Sequence, residues 1–202
     1  MPQKILILFA HPLLEKSQAH ATMLRHLPNN AYITFRDLYE HYPDFNIDVA
    51  SEKALLESHD LIVWQHPLYW YSCPPLLKQW IDMVLEFGWA YGPQGDALAG
   101  KPLLQIISSG GQKEAYQPEG RNRFHLRTLL SPFEQTAYLC KMPYLPPLVL
   151  HGTHRLNLEE MELHGQKYAW ILNRLVEAPL PNDLLTRYEY LNDWIETQYA
   201  YE

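Results

Sequence analysis

Cysteine is scarce: Cys73 and Cys140 are the only two in 202 residues, far apart and in no metal-like or redox spacing. Neither a disulfide framework nor a zinc site can be built from them, and a reduced, intracellular protein is the simpler expectation. Glycine is sparse too, at nine residues, and neither G-x-G-x-x-G nor the Walker pattern occurs, which excludes the two common glycine-rich phosphate loops. Positive charge is in the minority, with 16 basic against 23 acidic side chains and a net charge of −7. Such a chain has no general field for collecting nucleic-acid phosphates. No run approaches the roughly 18 apolar residues of a membrane span. The apolar start at residues 5–10 is too short for a signal-peptide core, so a cytoplasmic protein is expected.

What the chain does have is apolar and aromatic material: 47% hydrophobic residues, with 14 Tyr and 6 Trp. That is ample for one globular core and excludes intrinsic disorder. Residues 5–10, 61–64, 102–107 and 148–150 are short, continuously apolar runs, the pattern of strands buried on both faces of a parallel sheet. Residues 31–35 alternate more and suit a strand nearer an edge. Between these runs lie helical patterns. After Pro74, Leu76, Leu77, Trp80, Ile81, Val84 and Leu85 recur at helical spacing, opposite Lys78, Gln79, Asp82 and Glu86. Further helices are expected over about 18–27, 51–58, 127–140 and 159–176. The β-α alternation implies an α/β fold, a parallel sheet with helices on both faces. After Pro179 and Pro181, Leu184, Tyr188, Leu191 and Ile195 mark one more amphipathic helix, with Asn182 or Asp183 as its cap. It either covers the core or docks on a second subunit.

Ligands of open α/β sheets bind beyond the carboxyl ends of the strands. After the first strand come Ala10-His11-Pro12 and then Ser17, Gln18, Ala19 and His20 at a helix start, a set of donors suited to a phosphate. His11 taken alone reads more simply as a hydrogen-bonded structural residue. After the third come Gln65-His66-Pro67-Leu68-Tyr69-Trp70-Tyr71-Ser72, a stiff aromatic loop that suits either a flat ligand or plain packing. After the fourth come Ser108, Ser109, Gly110 and Gly111, where backbone can approach a ring edge. A serine hydrolase is disfavoured because the G-x-S-x-G elbow is missing. His151, His154 and His164 lie near Glu159, Glu160 and Glu162 but match no metal-binding spacing, so solvated residues are expected there and no metal.

Together, the post-strand A-H-P, Val63-Trp64-Gln65-His66-Pro67 and Ser108-Ser109-Gly110-Gly111 resemble the flavodoxin-like NAD(P)H:quinone oxidoreductase family over about residues 4–178. The likeness is strongest to the ancillary proteins of glutathione-regulated potassium-efflux systems. The segments carrying it are Asp37-Leu38-Tyr39, residues 42–48, Pro74-Pro75-Leu76-Leu77-Lys78 and Gly88-Trp89-Ala90-Tyr91-Gly92. The resemblance implies a three-layer sandwich with a five-stranded parallel sheet in the order 2-1-3-4-5, with residues 1–178 as the flavin domain and 179–202 as a helical extension. It implies FMN, with FAD possible, and NAD(P)H as co-substrate in a two-electron ping-pong hydride transfer through flavin N5. By it, His11, Ser17, Gln18, Ala19 and His20 hold the flavin phosphate. Pro67, Leu68, Tyr69 and Trp70 meet the isoalloxazine edge, Ser108, Ser109, Gly110 and Gly111 its pyrimidine side, and Tyr116 is the catalytic residue. His20 and the Ser108-Ser109 pair stand where relatives commonly have Asn and Thr-Thr, and Asn122 falls near the place of a catalytic histidine. Implied partners are a quinone or other electrophilic acceptor, a second copy of the chain, and a potassium-efflux transporter on the cytoplasmic face of the inner membrane. A regulatory subunit of that transporter and a reductase of azo dyes are the other readings.

Overall fold

The computed structural model describes residues 1–181 and 184–199. Strands β1 (Ile5–Phe9), β2 (Ile33–Asp37), β3 (Leu61–Pro67), β4 (Leu103–Ser108) and β5 (Leu148–Leu150) form one parallel sheet in the order β2-β1-β3-β4-β5. The helices, in chain order, are α1 (Gln18–Arg25), α2 (Leu38–His41), α3 (Val49–Ser58), α4 (Pro75–Val84), α5 (Leu126–Leu129), α6 (Ser131–Leu139), α7 (Leu158–Glu177), α8 (Leu184–Arg187) and α9 (Leu191–Tyr199). Alternation along each strand splits the core into two layers. Leu6 and Leu8 face one apolar cluster with Leu56, Trp80 and Phe133, while Ile5 and Ile7 face the other with Met23, Tyr168 and Leu172. This is the flavodoxin-like three-layer arrangement that the resemblance implied.

Several boundaries differ from the sequence reading, each for a local reason. β3 runs on through Gln65, His66 and Pro67, so the first three residues expected in a loop are buried strand. The helix expected over 127–140 is two helices: Leu130 ends α5 and begins α6, with Pro132 in the first turn of the second. Proline is tolerated there because its missing N–H has no intrahelical partner to lose. The short α2 follows Asp37, whose carboxylate accepts from the amides of Tyr39 and Glu40. α7 starts in a reciprocal capping box between Asn157 and Glu160.

The C-terminal stretch also divides, into α8 and α9, and it covers the chain's own core. Leu184, Leu191, Trp194 and Ile195 are buried with the second cluster. Beside β5, the Asn192 side chain accepts from Val149 N at 2.8 Å and donates to Val149 O at 2.9 Å, while Leu191 N donates to Pro147 O at 3.0 Å. An exposed strand edge is a template for unwanted pairing, and these bonds occupy it. The cap expected at Asn182 or Asp183 lies outside the described residues.

One buried charge ties three elements together. Glu52 on α3 is fully buried; it pairs with Arg36 of β2, accepts from Tyr42 Oη at 2.6 Å and accepts from Trp80 Nε1 of α4 at 2.8 Å. Arg36 Nη2 also donates to Tyr42 Oη at 2.9 Å. Removing the carboxylate strands a guanidinium and an indole N–H away from water, and breaking a buried pair in this way costs about 3 kcal/mol or more. Glu52→Ala is expected to lower the unfolding free energy by about that amount in urea titrations. A loss under about 0.5 kcal/mol, the range of an ordinary surface change, would show that the network is idle.

Candidate functional site

The strand ends set the site. Beyond Phe9, Ala10 N donates to Gln65 O at 2.9 Å; beyond Pro67, Leu68 N donates to Ser108 O at 2.8 Å; beyond Ser108, Ser109 N donates to Leu150 O at 2.8 Å. The turns after β1, β3, β4 and β5 therefore leave the sheet at one level. Two clefts open there. The first, about 540 Å³, is lined by His11, Lys16, Ser17, Gln18, Ala19, Pro67, Leu68, Tyr69, Ser108, Gly110, Thr153 and His154. The second, about 590 Å³, is lined by Leu68, Trp70, Tyr71, Gly110, Gly111, Gln112, Tyr116, Arg121, Asn122, His154 and Arg155 among others. Leu68, Gly110 and His154 belong to both.

Twelve of the fourteen residues singled out by sequence thus line one cleft or the other. His20 and Ser109 line neither, lying buried beneath. His20 Nε2 and Ser108 Oγ are hydrogen-bonded at 2.9 Å, and His20 Nδ1 is buried without a partner among the described residues. Burial, with His11 and His66 nearby, holds the His20 ring well below its ordinary pKa, so it is neutral. His11 accepts from Leu13 N on Nδ1 at 3.2 Å, and burial lowers its pKa as well. Its one proton then sits on Nε2, available to a ligand.

Ser17 caps α1, its hydroxyl accepting from His20 N at 3.2 Å. The amides of Gln18 and Ala19 at that helix start have no intrahelical acceptor and border the first cleft. Gly110 lies under the His154 ring, where a Cβ would come within 2.8 Å of Nε2, and Gly111 lies against Tyr116, where a Cβ would come within 3.0 Å of the ring. Any larger residue at either position would fill the cleft floor. Among the described residues, no acceptor takes the amides of Gly110, Gly111 or Trp70. The amides of Leu68 and Tyr69 are already committed, to Ser108 O and Pro67 O.

Tyr116 is 7% exposed, and its hydroxyl is 2.6 Å from Ser109 Oγ. Ser109 donates its own hydrogen to Gly111 O at 3.1 Å, so the tyrosine is the donor in the shorter bond. Tyr116 therefore keeps a lone pair for a ligand, and it gives a proton elsewhere only by releasing Ser109. Trp70 and Tyr71 both have positive φ, +48° and +64°, between Tyr69 and Ser72, and Ser72 N donates to Tyr69 O at 3.0 Å. This two-residue turn leaves Trp70 92% exposed at the second cleft.

Of the histidines expected to be solvated after β5, His154 is exposed and His151 is not. His151 is packed between Tyr116 and Tyr190, each ring 5.9 Å away, and burial pushes its pKa down to about 4. His154 is exposed and joins the two clefts. His154, Arg121 and Arg155 were missed as site residues. Looking beyond the carboxyl end of the fifth strand, as for the others, would have found His154 and Arg155. The two cysteines are buried thiols whose pKa values burial raises to about 11, which makes them poor nucleophiles.

A polar relay supports the wall from below. Tyr144 donates to Gln105 Oε1, which leaves Gln105 Nε2 to donate to His66 Nε2 at 3.0 Å; His66 must then carry its proton on Nδ1, which donates to Pro67 O at 2.9 Å. Burial lowers the His66 pKa to about 4. A histidine lowered from 6.5 binds fewer protons folded than unfolded between pH 4 and 6.5. Stability is therefore complete above 6.5 and falls as pH drops through that window, by up to about 1.4 kcal/mol per pH unit for each such group. Urea midpoints of the wild type are expected to fall between pH 7 and 4.5, and those of His66→Gln to fall less steeply. Parallel profiles would show that His66 does not titrate as its burial demands.

Comparison with known proteins agrees with this geometry. The ancillary protein KefG of a glutathione-regulated potassium-efflux system in Cronobacter sakazakii is 46% identical over 176 residues, covering 85% of this chain and 94% of the relative. General stress protein 14 of Treponema denticola, solved in complex with FMN, is 39% identical with a TM-score of 0.79, covering 85% of this chain and 99% of that one. A NADPH-quinone reductase of P. pentosaceus is 34% identical with a TM-score of 0.73, covering 82% and 97%. The model of the flavodoxin-like fold family matches residues 3–172, and the chain belongs to that family.

Proposed function

We propose that the protein is an FMN-dependent NAD(P)H:quinone oxidoreductase. The observation that carries this reading is the meeting of the two clefts at Gly110 and His154, with anion donors at one end and an aromatic wall at the other. When bound, FMN supplies the ability to take a hydride from NAD(P)H and deliver it to a quinone, which with one further proton becomes the hydroquinone. The residues present fit such a group. The His11 Nε2–H, the amides of Gln18 and Ala19 and the Lys16 ammonium make a cradle for a phosphate. His20 and Ser108 brace that cradle from beneath. The Gly110 and Gly111 amides, with no Cβ in the way, suit a polar ring edge that gains negative charge. Trp70 and Tyr71 keep water from one side, and Tyr116 stands beside the acceptor. The exposed rings of Trp70 and Phe87 suit an interface in a homodimer.

The experiment is direct. Protein purified with added FMN is expected to bind it one to one and to show the flavin band near roughly 450 nm, a property of the cofactor itself. It should then oxidise NAD(P)H on addition of a quinone. A preparation that takes up neither FMN nor FAD would rule this reading out.

A second reading is compatible with the first: a cytoplasmic subunit attached to a potassium-efflux transporter. It is favoured by identity to KefG proteins that extends over 94–95% of their length. No helix among the described residues is long and apolar enough to cross a membrane, so such a subunit would dock on the transporter rather than span the bilayer beside it. Co-expression with the cognate transporter is expected to carry the protein into the membrane fraction and to change potassium efflux. Unchanged efflux, with quinone reduction intact, would leave only the enzyme.

A further inference from the structure

The second cleft carries a charge pattern that hydride transfer alone does not require. Among its lining residues Arg121 and Arg155 are cations and Glu114 is the one carboxylate, in a chain of net charge −7. Three arginines elsewhere face carboxylates: Arg25 with Glu162, Arg36 with Glu52, Arg127 with Glu134. Neither cleft arginine has a carboxylate partner among the described residues. Arg155 donates from Nη1 to Gln112 Oε1 at 2.9 Å, an uncharged amide that steadies the guanidinium without neutralising it. That amide is itself held. The Gln112 stem lies against Gly152, where a Cβ would stand 3.2 Å away, and Gly152 N donates to Gly111 O at 2.9 Å. The turns after β4 and β5 thus brace one another, and Arg155 projects from that brace into the cleft.

A guanidinium with unused donors beside an open cavity suits an oxyanion with which it can make two parallel bonds. The rings of Trp70 and Tyr71 in the same cleft suit a planar body. Resting on the reading that this cleft admits the substrates of the oxidoreductase, we propose that it selects substrates bearing a phosphate or carboxylate, held by Arg121 and Arg155. As donor it prefers NADPH to NADH, whose difference is one phosphate monoester of nearly two negative charges. As acceptor it prefers an acid-bearing quinone to a neutral one.

Calorimetric titration of NADP⁺ and NAD⁺ tests this on the wild type, Arg121→Gln, Arg155→Gln and Glu114→Gln at low and high ionic strength. The wild type is expected to bind NADP⁺ about tenfold more tightly, as charge-assisted bonds to one phosphate allow. Each arginine variant should reduce that ratio about fivefold, Glu114→Gln should raise it, and salt should narrow it. The ratio of kcat/KM for a carboxylated against a neutral quinone, in the same variants, reads the acceptor arm. A change confined to one arm assigns the anion site to that substrate. Equal wild-type preference in both arms, or ratios that both arginine variants leave unmoved while their urea midpoints match the wild type, would overturn the proposal. Flavin content of the same samples separates it from the reading it rests on. FMN-free protein that still discriminates NADP⁺ defeats the oxidoreductase and keeps the cleft, while FMN-loaded protein that does not discriminate defeats the cleft alone.

Discussion

Three backbone hydrogen bonds hold the site in being. Ala10 N to Gln65 O, Leu68 N to Ser108 O and Ser109 N to Leu150 O each extend the parallel ladder one step beyond a strand's end. They fix the heights at which four turns leave the sheet, and those turns carry many of the cleft residues, while Pro67 and Ser108 are strand ends, Gln18 and Ala19 begin α1, and Glu114, Tyr116, Arg121 and Asn122 come later in the chain after β4. Parallel pairing requires this sort of agreement, because all the strands run out at the same rim and their connections must return over the faces. The sheet order puts β3 at the centre with β1 and β4 beside it, and α1 and α4, which follow β1 and β3, pack on opposite layers.

Several of the polar groups beneath the clefts are held by buried hydrogen bonds, His20 Nδ1 being an exception among the described residues. In the Tyr144, Gln105 and His66 relay, one amide orientation and one tautomer satisfy all the groups, and the relay ends on the carbonyl of Pro67, the last residue of β3. Tyr168 holds one end of Gln65, donating to its Oε1 at 2.9 Å, while Gln65 Nε2 has no partner among the described residues. A strand that carries Gln65 and His66 in the middle of an apolar core is costly unless it is bonded in this way. The reward is direction: the wall of the cleft is fastened from within, without using the side chains that face a ligand.

That same feature explains what was legible in the sequence. The apolar runs of β1, β4 and β5 were readable almost to the residue, because strands buried on both faces advertise themselves by hydrophobicity alone. β3 was cut short at Trp64, since the polar Gln65 and His66 look like a loop until their buried partners, 103 and 39 residues away, are seen. The break between α5 and α6 was hidden by an apolar period that continues through Leu130, although Pro132 was there as a signal. At the site, the turns after β1, β3 and β4 were found by motif and position. His154 and Arg155 were passed over because three nearby histidines raised the question of a metal rather than of a strand end. Arg121 belongs to a loop with no regular structure, and nothing short of the fold brings it to the cleft.

The remaining misfit lies at the cleft mouth. A two-residue turn with both central residues at positive φ ordinarily takes Asn-Gly, yet here it holds Trp70 and Tyr71. Left-handed backbone costs a non-glycine residue roughly 1–2 kcal/mol, and large rings have no local means of offsetting that. Core packing does not explain the pair, since Trp70 is almost wholly exposed and Tyr71 half so. The Tyr69–Ser72 bridge and the bond from Leu68 N to the β4 end overdetermine the turn from both sides and keep it in place. Strain that is maintained by its surroundings and that serves no packing points to the surface it creates. Here that surface is an aromatic lip on the second cleft, which Arg121 and Arg155 also line, and a smaller, relaxed turn would leave the cleft without its flat wall.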